Sequence, residues 1–554
     1  MIAVRYHEAT KHHFNRFARS LGYLDWATQP DPFRRYHGAP VRPLPRSSGS
    51  AALAADVPYR SLYELGAAPQ PIDERSIGEF LRCSMGLSAW KQYGQSRWAL
   101  RVNPSSGNLH PTEAWIVHDG RVCHYAPKEH ALEERCTFPS PVARTFEALA
   151  TGDWVGDHFL VALTSIIWRE AWKYGERAFR YCQHDVGHAI GALRFAAALL
   201  GWRLQLLPDW SDAQIAGLLG LDRDQDYGDV EREEPECVAV VGPGFGIRDS
   251  GFDPETLVAA VRTGLWSGHA NRLSADHVKW PVIDDVAEAT RYPGQTLASR
   301  TFESRTLNPE SRPRDPKARD ILLQRRSALS FDPRGVLRSE DVLRMLERLN
   351  PSSPPWDAIH WPAHVHLVLF IHRVQDLTPG IYAYLRDVAV LAEWKAAMRP
   401  EFIWEPVNTP TGEPTNLFLL VPIDAQRTAN RVSCDQDIAE DGFLALAMIA
   451  RFEGSIRESG EWFYRRLFWE CGLIGQVLYL EAEAVGARST GIGCYYDEPV
   501  HELLGLSGYV WQDLYHFSMG LPIEDTRLTS EPGYDWEERD PGFGIRDSGF
   551  GDGS

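Results

Sequence analysis

Between residues 176 and 201 the apolar positions Phe179, Cys182, Val186, Ile190, Leu193, Ala197 and Leu200 recur every three or four residues. That spacing predicts a helix, and Gly201 supplies its C-terminal stop. The frame returns 285 residues later, where Leu467, Cys471, Ile474 and Leu478 mark a second helix ending at Gly486. Gly187 and Gly472 fall mid-helix, where glycine costs about 1 kcal/mol against alanine. Close packing of each helix on a neighbour accounts for them. A short strand follows each helix, then an Asp-started helical turn ending in LLGL at 218–221 and 503–506. A last strand closes each unit, CVAVVG at 237–242 and LYHFSMG at 514–520.

Aligned without gaps, residues 176–221 and 461–506 share twelve of 46 positions, among them Glu176/Glu461, Arg180/Arg465, Arg203/Arg488 and Asp212/Asp497. An internal repeat of this length predicts two tandem copies of one α+β domain. The expected organisation is an N-terminal arm at 1–75, a first domain at 76–249, a connecting segment at 250–318, a second domain at 319–530 and a tail at 531–554. PGFGIRDSGF occurs identically at 243–252 and 541–550, a degree of identity that the divergence of the two copies does not explain.

Composition narrows the class. The 554 residues exceed one hydrophobic core. A net charge of −18 argues against nucleic acid and anionic membranes as main partners. MIAVRYHEATKHHFNRF lacks the apolar core of a signal peptide, and no apolar run is long enough to span a bilayer. The eight cysteines show no CxxC spacing, so neither structural zinc nor a disulfide scaffold is expected, and a cytoplasmic setting fits.

Three segments carry candidate chemistry. NPSSGNLHPTEAWIV at 103–117 is a polar loop before a strand. Its hydroxyls, amide and free backbone N–H groups suit a phosphate or a polar ring edge, and equally an ordinary Asx-type turn. LLQRRSALSFDPRG at 322–335 offers two arginines and a serine as an anion clamp, or a solvated helix end. RSTGIGCYYDEP at 488–499 carries Gly491 and Gly493 where the first copy has Leu206 and Pro208. The fold thus tolerates side chains there, and the glycines point to close approach of a flat ligand.

The ordered set RRS, PSSGNLHPTEA, a central helix and GIGCYYDEPVHELLGL resembles the nitroreductase superfamily, and more narrowly the SagB-type dehydrogenases, FMN-dependent azoline oxidases of peptide biosynthesis. The opening YHEATKHHFNRFARS resembles the N-terminal segment of tandem members. The resemblance implies two nitroreductase-like domains, each a mostly antiparallel sheet flanked by helices, paired as an intramolecular pseudo-dimer and thus compatible with a monomer. It implies FMN at the seam between them, dehydrogenation of a peptide-derived azoline, and association with a peptide-modifying complex. Reduction of nitro compounds or quinones, or a non-catalytic flavin-binding role, are the alternatives.

The cofactor residues it implies are Pro104, Ser105, Ser106, Asn108 and His110 from the first copy, and Arg325, Arg326, Ser327, Gly491, Ile492, Gly493 and the late Arg527 from the second. Lys173 and Tyr174 resemble the Lys-Tyr pair proposed to remove substrate protons in azoline oxidases. The opposite site looks degraded, with Arg82-Cys83-Ser84 set against RRS, Leu206-Leu207-Pro208 against the glycines, and NPSSPPW at 350–356 against PSSGN, so one FMN per chain is expected. Leu329 stands where many nitroreductases carry a basic residue.

Two other readings are weaker. His184 and His188 have the i, i+4 spacing of a zinc helix, but Trp469 and Leu473 occupy those slots in the second copy and no third ligand follows. VAVVGPGFG lacks the third glycine of a dinucleotide fingerprint. No metal is therefore expected.

Overall fold

The structure is a computed structural model that describes residues 1–47, 49, 52–64, 66–138, 158–243, 254–294 and 315–537. Apart from Pro243, both PGFGIRDSGF segments lie outside the described residues.

The helices used below are α1 (Ile2–Ala9), α2 (Glu74–Arg82), α3 (Ile167–Tyr174), α4 (Ala178–Leu199), α5 (Asp212–Leu219), α6 (Ala318–Gln324), α7 (Ser339–Glu347), α8 (Phe463–Ala484) and α9 (Asp497–Leu504). The strands are β1 (Leu87–Tyr93), β2 (Ser96–Arg101), β3 (Thr112–His118), β4 (Arg121–Ala126), β5 (Ala131–Thr137), β6 (Phe159–Ser165), β7 (Arg203–Leu206), β8 (Glu234–Gly242), β9 (Val365–Ile371), β10 (Gly380–Tyr384), β11 (Pro414–Pro422), β12 (Leu444–Arg451), β13 (Arg488–Ile492), β14 (Trp511–Gly520) and β15 (Thr529–Pro532).

The first sheet runs β5-β4-β3-β6-β8-β7 and the second β11-β10-β9-β12-β14-β13, all antiparallel. The two orders are the same when each strand is advanced by six, which bears out the duplicated α+β fold. The central strands β6 and β9 are buried along their whole length, as expected of strands covered on both faces.

The long helices α4 and α8 pack on each other, and the mid-helix glycines explain how. A methyl group built on Gly187 would collide with the Trp469 carbonyl, and one on Gly472 with the His184 carbonyl. Trp469 and His184 are counterparts at the 285-residue offset, so the two collisions are related as by a two-fold axis. Gly191 likewise meets Leu473 and Gln476. Backbones can approach this closely only where no Cβ intervenes.

The chain ends are woven into this pair. The backbone N–H of Ala3 donates to Glu461 (2.6 Å), and His7 of α1 lies against Phe452 of the second copy. At the other end β15 adds to the β1–β2 hairpin of the first copy as a three-stranded antiparallel sheet. The Tyr534 hydroxyl then donates to the Pro127 carbonyl (2.6 Å). No helix among the described residues is long and apolar enough to cross a membrane.

Candidate functional site

The PSSGN segment folds as a tight turn before the central strand β3. Gly107, Asn108 and His110 all have positive φ, near 60, 60 and 53°, a conformation that is costly for non-glycine residues. Local bonds hold it. The His110 N–H donates to Ser105 Oγ (2.8 Å), Asn108 Nδ2 donates to the Ala99 carbonyl (2.9 Å), and Asn108 Oδ1 lies 2.9 Å from His110 Nε2. Pro104 is buried beside them.

A carboxylate pair lies behind this turn. The Asp185 carboxylate of α4 accepts from the Ser106 N–H (3.0 Å) and hydroxyl (3.2 Å). Burial lifts the Asp185 pKa to about 7, although the Ser105 and Ser106 hydrogen bonds oppose it. Glu170 of α3 is fully buried, and burial, reinforced by Asp185, raises its pKa well above the carboxylate range. Both groups escaped sequence reasoning. Their only signal was position, Asp185 lying within the HDVGH helix face and Glu170 three residues before Lys173.

Lys173 and Tyr174 close α3 against the same turn. A side chain added at Gly107 would strike the Tyr174 hydroxyl and then Lys173 Nζ. The Tyr174 ring lies 4.4 Å from that of Tyr181. Burial, then the Glu170 charge, holds the Tyr174 phenol well above its usual pKa and thus protonated at neutral pH.

The second copy meets the turn from the other side. Arg325 follows α6 and is buried; its Nε donates to the Val102 carbonyl (3.0 Å) and its Nη2 to the Arg101 carbonyl (3.1 Å), directly before the PSSGN turn. Arg326 is half-buried and donates to the carbonyls of Leu323, Arg325 and Ser88. Among the described residues neither guanidinium forms an ion pair with a carboxylate. Carbonyls satisfy donors but do not neutralise a charge. Burial, then the Arg325 charge, lowers Arg326 to about 9. Glu483 opposes that lowering, while Arg488, in the repeat frame, and Lys91, on β1, add positive charge nearby.

Ser327 Oγ lies 2.9 Å from the Tyr479 hydroxyl, which accepts the Gly491 N–H (2.9 Å). Ala328 N donates to the Ser489 carbonyl (3.1 Å). The RRS element and the glycine strand end are therefore brought together. Ile492 is buried in the core of the second sheet. The space over the glycines is shared with tyrosines, since a side chain on Gly491 would strike the Tyr515 hydroxyl and one on Gly493 the Tyr181 ring.

Three expectations need correction. Arg527 does not join the cluster. Its side chain is 72% exposed and paired with Asp525 (2.8 Å), because the segment after β14 turns outward toward the β1–β2 hairpin. Arg82-Cys83-Ser84 is not the first-copy version of RRS. It closes α2, which packs on α4 as α7 packs on α8, and Arg82 is neutralised by Glu537. The first-copy segment lying against the end of its long helix is 67–70, where Gln70 N donates to the Leu200 carbonyl (2.9 Å). That segment reads APQ after Ala67 and has no arginine. Finally, the tail expected at 531–554 begins inside β15 and its Tyr534 is buried in the first copy.

His184 and His188 are not a metal pair. Both rings are buried; His184 Nε2 lies 3.0 Å from the Leu514 carbonyl and stacks on Tyr515, and His188 Nε2 lies 3.2 Å from the Tyr515 hydroxyl.

A buried polar chain braces the turn from the sheet. His124 bridges Glu113 (3.1 Å) and Glu133 (3.0 Å), and Glu113 pairs with Arg169, which donates to the His110 carbonyl (2.7 Å). Burial opposes the charged ring, but the two carboxylates outweigh it and raise the His124 pKa to about 9. The folded value exceeds the unfolded value of about 6.5. This contribution to stability is thus complete below about pH 6.5 and is lost as pH rises through about 9. Thermal unfolding followed from pH 7 to 10 is expected to show a fall in melting temperature that is shallower in a His124→Gln variant. Equal slopes would remove His124 from this role.

Residues 68–242 match the model of the nitroreductase family, which points to an oxidoreductase. None of the curated proteins compared matches the chain. Among solved structures, a protein from Anabaena variabilis assigned to the nitroreductases aligns with TM-score 0.65 at 18% identity, covering 94% of this chain and 99% of its own. The nitroreductase-like fold therefore extends over both copies. A Ralstonia eutropha protein with the same assignment aligns with TM-score 0.27 at 15% identity over 42% of this chain and 97% of its own. The Escherichia coli microcin synthetase McbBCD complex with truncated pro-MccB17 bound aligns with TM-score 0.27 at 15% identity, over 42% and 80%.

Proposed function

We propose that the chain is an FMN-dependent oxidoreductase with one composite site at the seam of its two copies. The observation that carries this reading is Arg325. It is a buried cation of the second copy, seated on the Arg101 and Val102 carbonyls of the first, with no carboxylate partner among the described residues. Glu483 acts on it through space but makes no ion pair with it, so the buried guanidinium is only partly compensated and calls for a further anion, and the phosphate of FMN is one. The equivalent place in the first copy holds no arginine, which favours a single site.

The charged and polar residues present fit that group. Arg325 and Arg326 would hold the phosphate and the Ser105–Asn108 turn would face the ring edge, while Tyr515 and Tyr181 take the space over Gly491 and Gly493. When bound, FMN supplies two-electron redox chemistry as hydride acceptor or donor. The chain's own contribution is positioning and proton handling. The protonated Tyr174 hydroxyl is a donor at the turn, and Lys173 Nζ stands beside it as a candidate base toward substrate. Asp185 fixes the turn through Ser106.

For substrate, the ordered motifs favour a peptide-derived azoline, and a peptide-modifying partner would then present it in a cytoplasmic setting. Nitro compounds or quinones are the runner-up. One observation favours a non-catalytic flavin protein instead: Tyr515 and Tyr181 crowd the glycine strand end.

Purified protein is expected to be yellow and to hold about one FMN per chain. A colourless protein that takes up no added FMN would sink the cofactor reading. Two FMN per chain would sink only the single-site version. Bound flavin that no reductant, substrate or oxygen can cycle would favour the non-catalytic reading.

A further inference from the structure

A second cluster lies beside the glycine strand end and has no part in the reading above. His12, Cys434 and Cys494 place a ring nitrogen and two sulfurs within 4.8 Å of one another. The sequence spacing hid them, because they stand 422 and 60 residues apart. We propose that these three side chains bind one divalent cation of the zinc class, leaving a fourth coordination position open.

Each ligand is held by a separate element. His12 follows α1, and its backbone N–H donates to Asp497 Oδ2 (2.8 Å) at the start of α9. That carboxylate is itself fixed by Arg177 (3.0 Å) and Arg180 (2.8 Å). Cys494 follows Gly493 at the end of β13. Cys434 follows the helix Gln426–Val432 and, with Asp435, takes positive φ of 58 and 55°. Two consecutive non-glycine residues in this region are uncommon. The surroundings over-determine the turn. Gln436 Nε2 bridges the Ser433 and Cys494 carbonyls (2.7 and 2.9 Å), and Tyr496 N donates to the Val432 carbonyl (2.8 Å).

One distance already matches a shared ion and one has to change. Cys494 Sγ lies 3.8 Å from His12 Nδ1, and a sulfur and an imidazole nitrogen on one tetrahedral zinc stand about 3.6 Å apart. The two sulfurs lie 2.9 Å apart, whereas two thiolates on one zinc stand about 3.8 Å apart, so binding parts them by about 0.9 Å. A metal site uses the imidazole beside the two sulfurs and a disulfide does not.

The donor set selects zinc over magnesium or calcium, which require oxygen. Binding one cation with both cysteines as thiolates releases the protons they still carry. Both cysteines are half-buried, so a water or small ligand reaches the fourth position. The ion would tie the N-terminal segment, the 433–436 turn and the glycine strand end together, independently of any flavin.

The test is metal analysis of full-length protein purified under reductant, loaded with zinc sulfate and desalted. About one zinc per chain is expected, and Cys434→Ser, Cys494→Ser and His12→Ala each lower that figure. Cobalt loading of unaltered protein reads the site without any variant, through a thiolate-to-cobalt charge-transfer band in the near ultraviolet. No zinc above the level of the variants, absence of that band, or an intact mass showing Cys434 joined to Cys494 under reductant would each overturn the proposal.

Discussion

An Arg325→Gln, Arg326→Gln double variant is expected to lose FMN affinity by two to four orders of magnitude while remaining folded. Each charge-assisted hydrogen bond contributes about 1.5–3 kcal/mol, a factor of about 10–150 per arginine. Glutamine retains a donor for the Val102 and Arg101 carbonyls that Arg325 now serves, and it removes a buried charge that forms no ion pair. The cost to the free protein is therefore small. Two readings separate the cases. Added FMN should raise the melting temperature of the parent protein by mass action and leave that of the variant unchanged. If the variant binds FMN as tightly as the parent, the anion site lies elsewhere.

Gly187→Ala is expected to be strongly destabilising. In an isolated helix it would gain about 1 kcal/mol. Here the added carbon meets the Trp469 carbonyl and Cα, backbone that cannot rotate away. Overpacking of this kind costs about 1–3 kcal/mol and more where nothing yields. Relief requires α4 and α8 to move apart. Because Asp185 on α4 and Tyr479 on α8 both support the candidate site, flavin binding should fall together with stability. Gly472→Ala should reproduce both effects through the His184 carbonyl. Gly486→Ala, where a methyl group meets nothing within 4 Å but φ is 77°, serves as the control for backbone strain alone. A Gly187→Ala protein that melts no lower than that control would refute the packing argument.

The repeat carried most of the fold. Its helix frame, its closing strands and the glycine crossing were legible because burial imposes a period and close approach imposes glycine. Motif order likewise located the RRS and PSSGN elements, which the Arg325 side chain links through the Arg101 and Val102 carbonyls. What escaped was whatever depends on side chains arriving from unrelated segments. Glu170 and Asp185 make a pair only once α3 folds back on α4. Arg527 looked eligible by position, yet the chain turns it to solvent beside Asp525. The comparison of Gly491 with Leu206 was sound in that the fold accepts a side chain there. It missed the compensation, since the Tyr515 hydroxyl already occupies the space over Gly491. His12, Cys434 and Cys494 carry no spacing signal at all.

The crossing of α4 with α8, together with the return of β15 to the first copy, also sets the molecularity of the candidate site. A site shared by two separate chains empties as the protein is diluted and its subunits part. Here each copy meets the other at a local concentration fixed by the covalent connection and independent of how far the protein is diluted. Assembly is first-order, so occupancy at nanomolar protein should depend on ligand concentration and not on protein concentration.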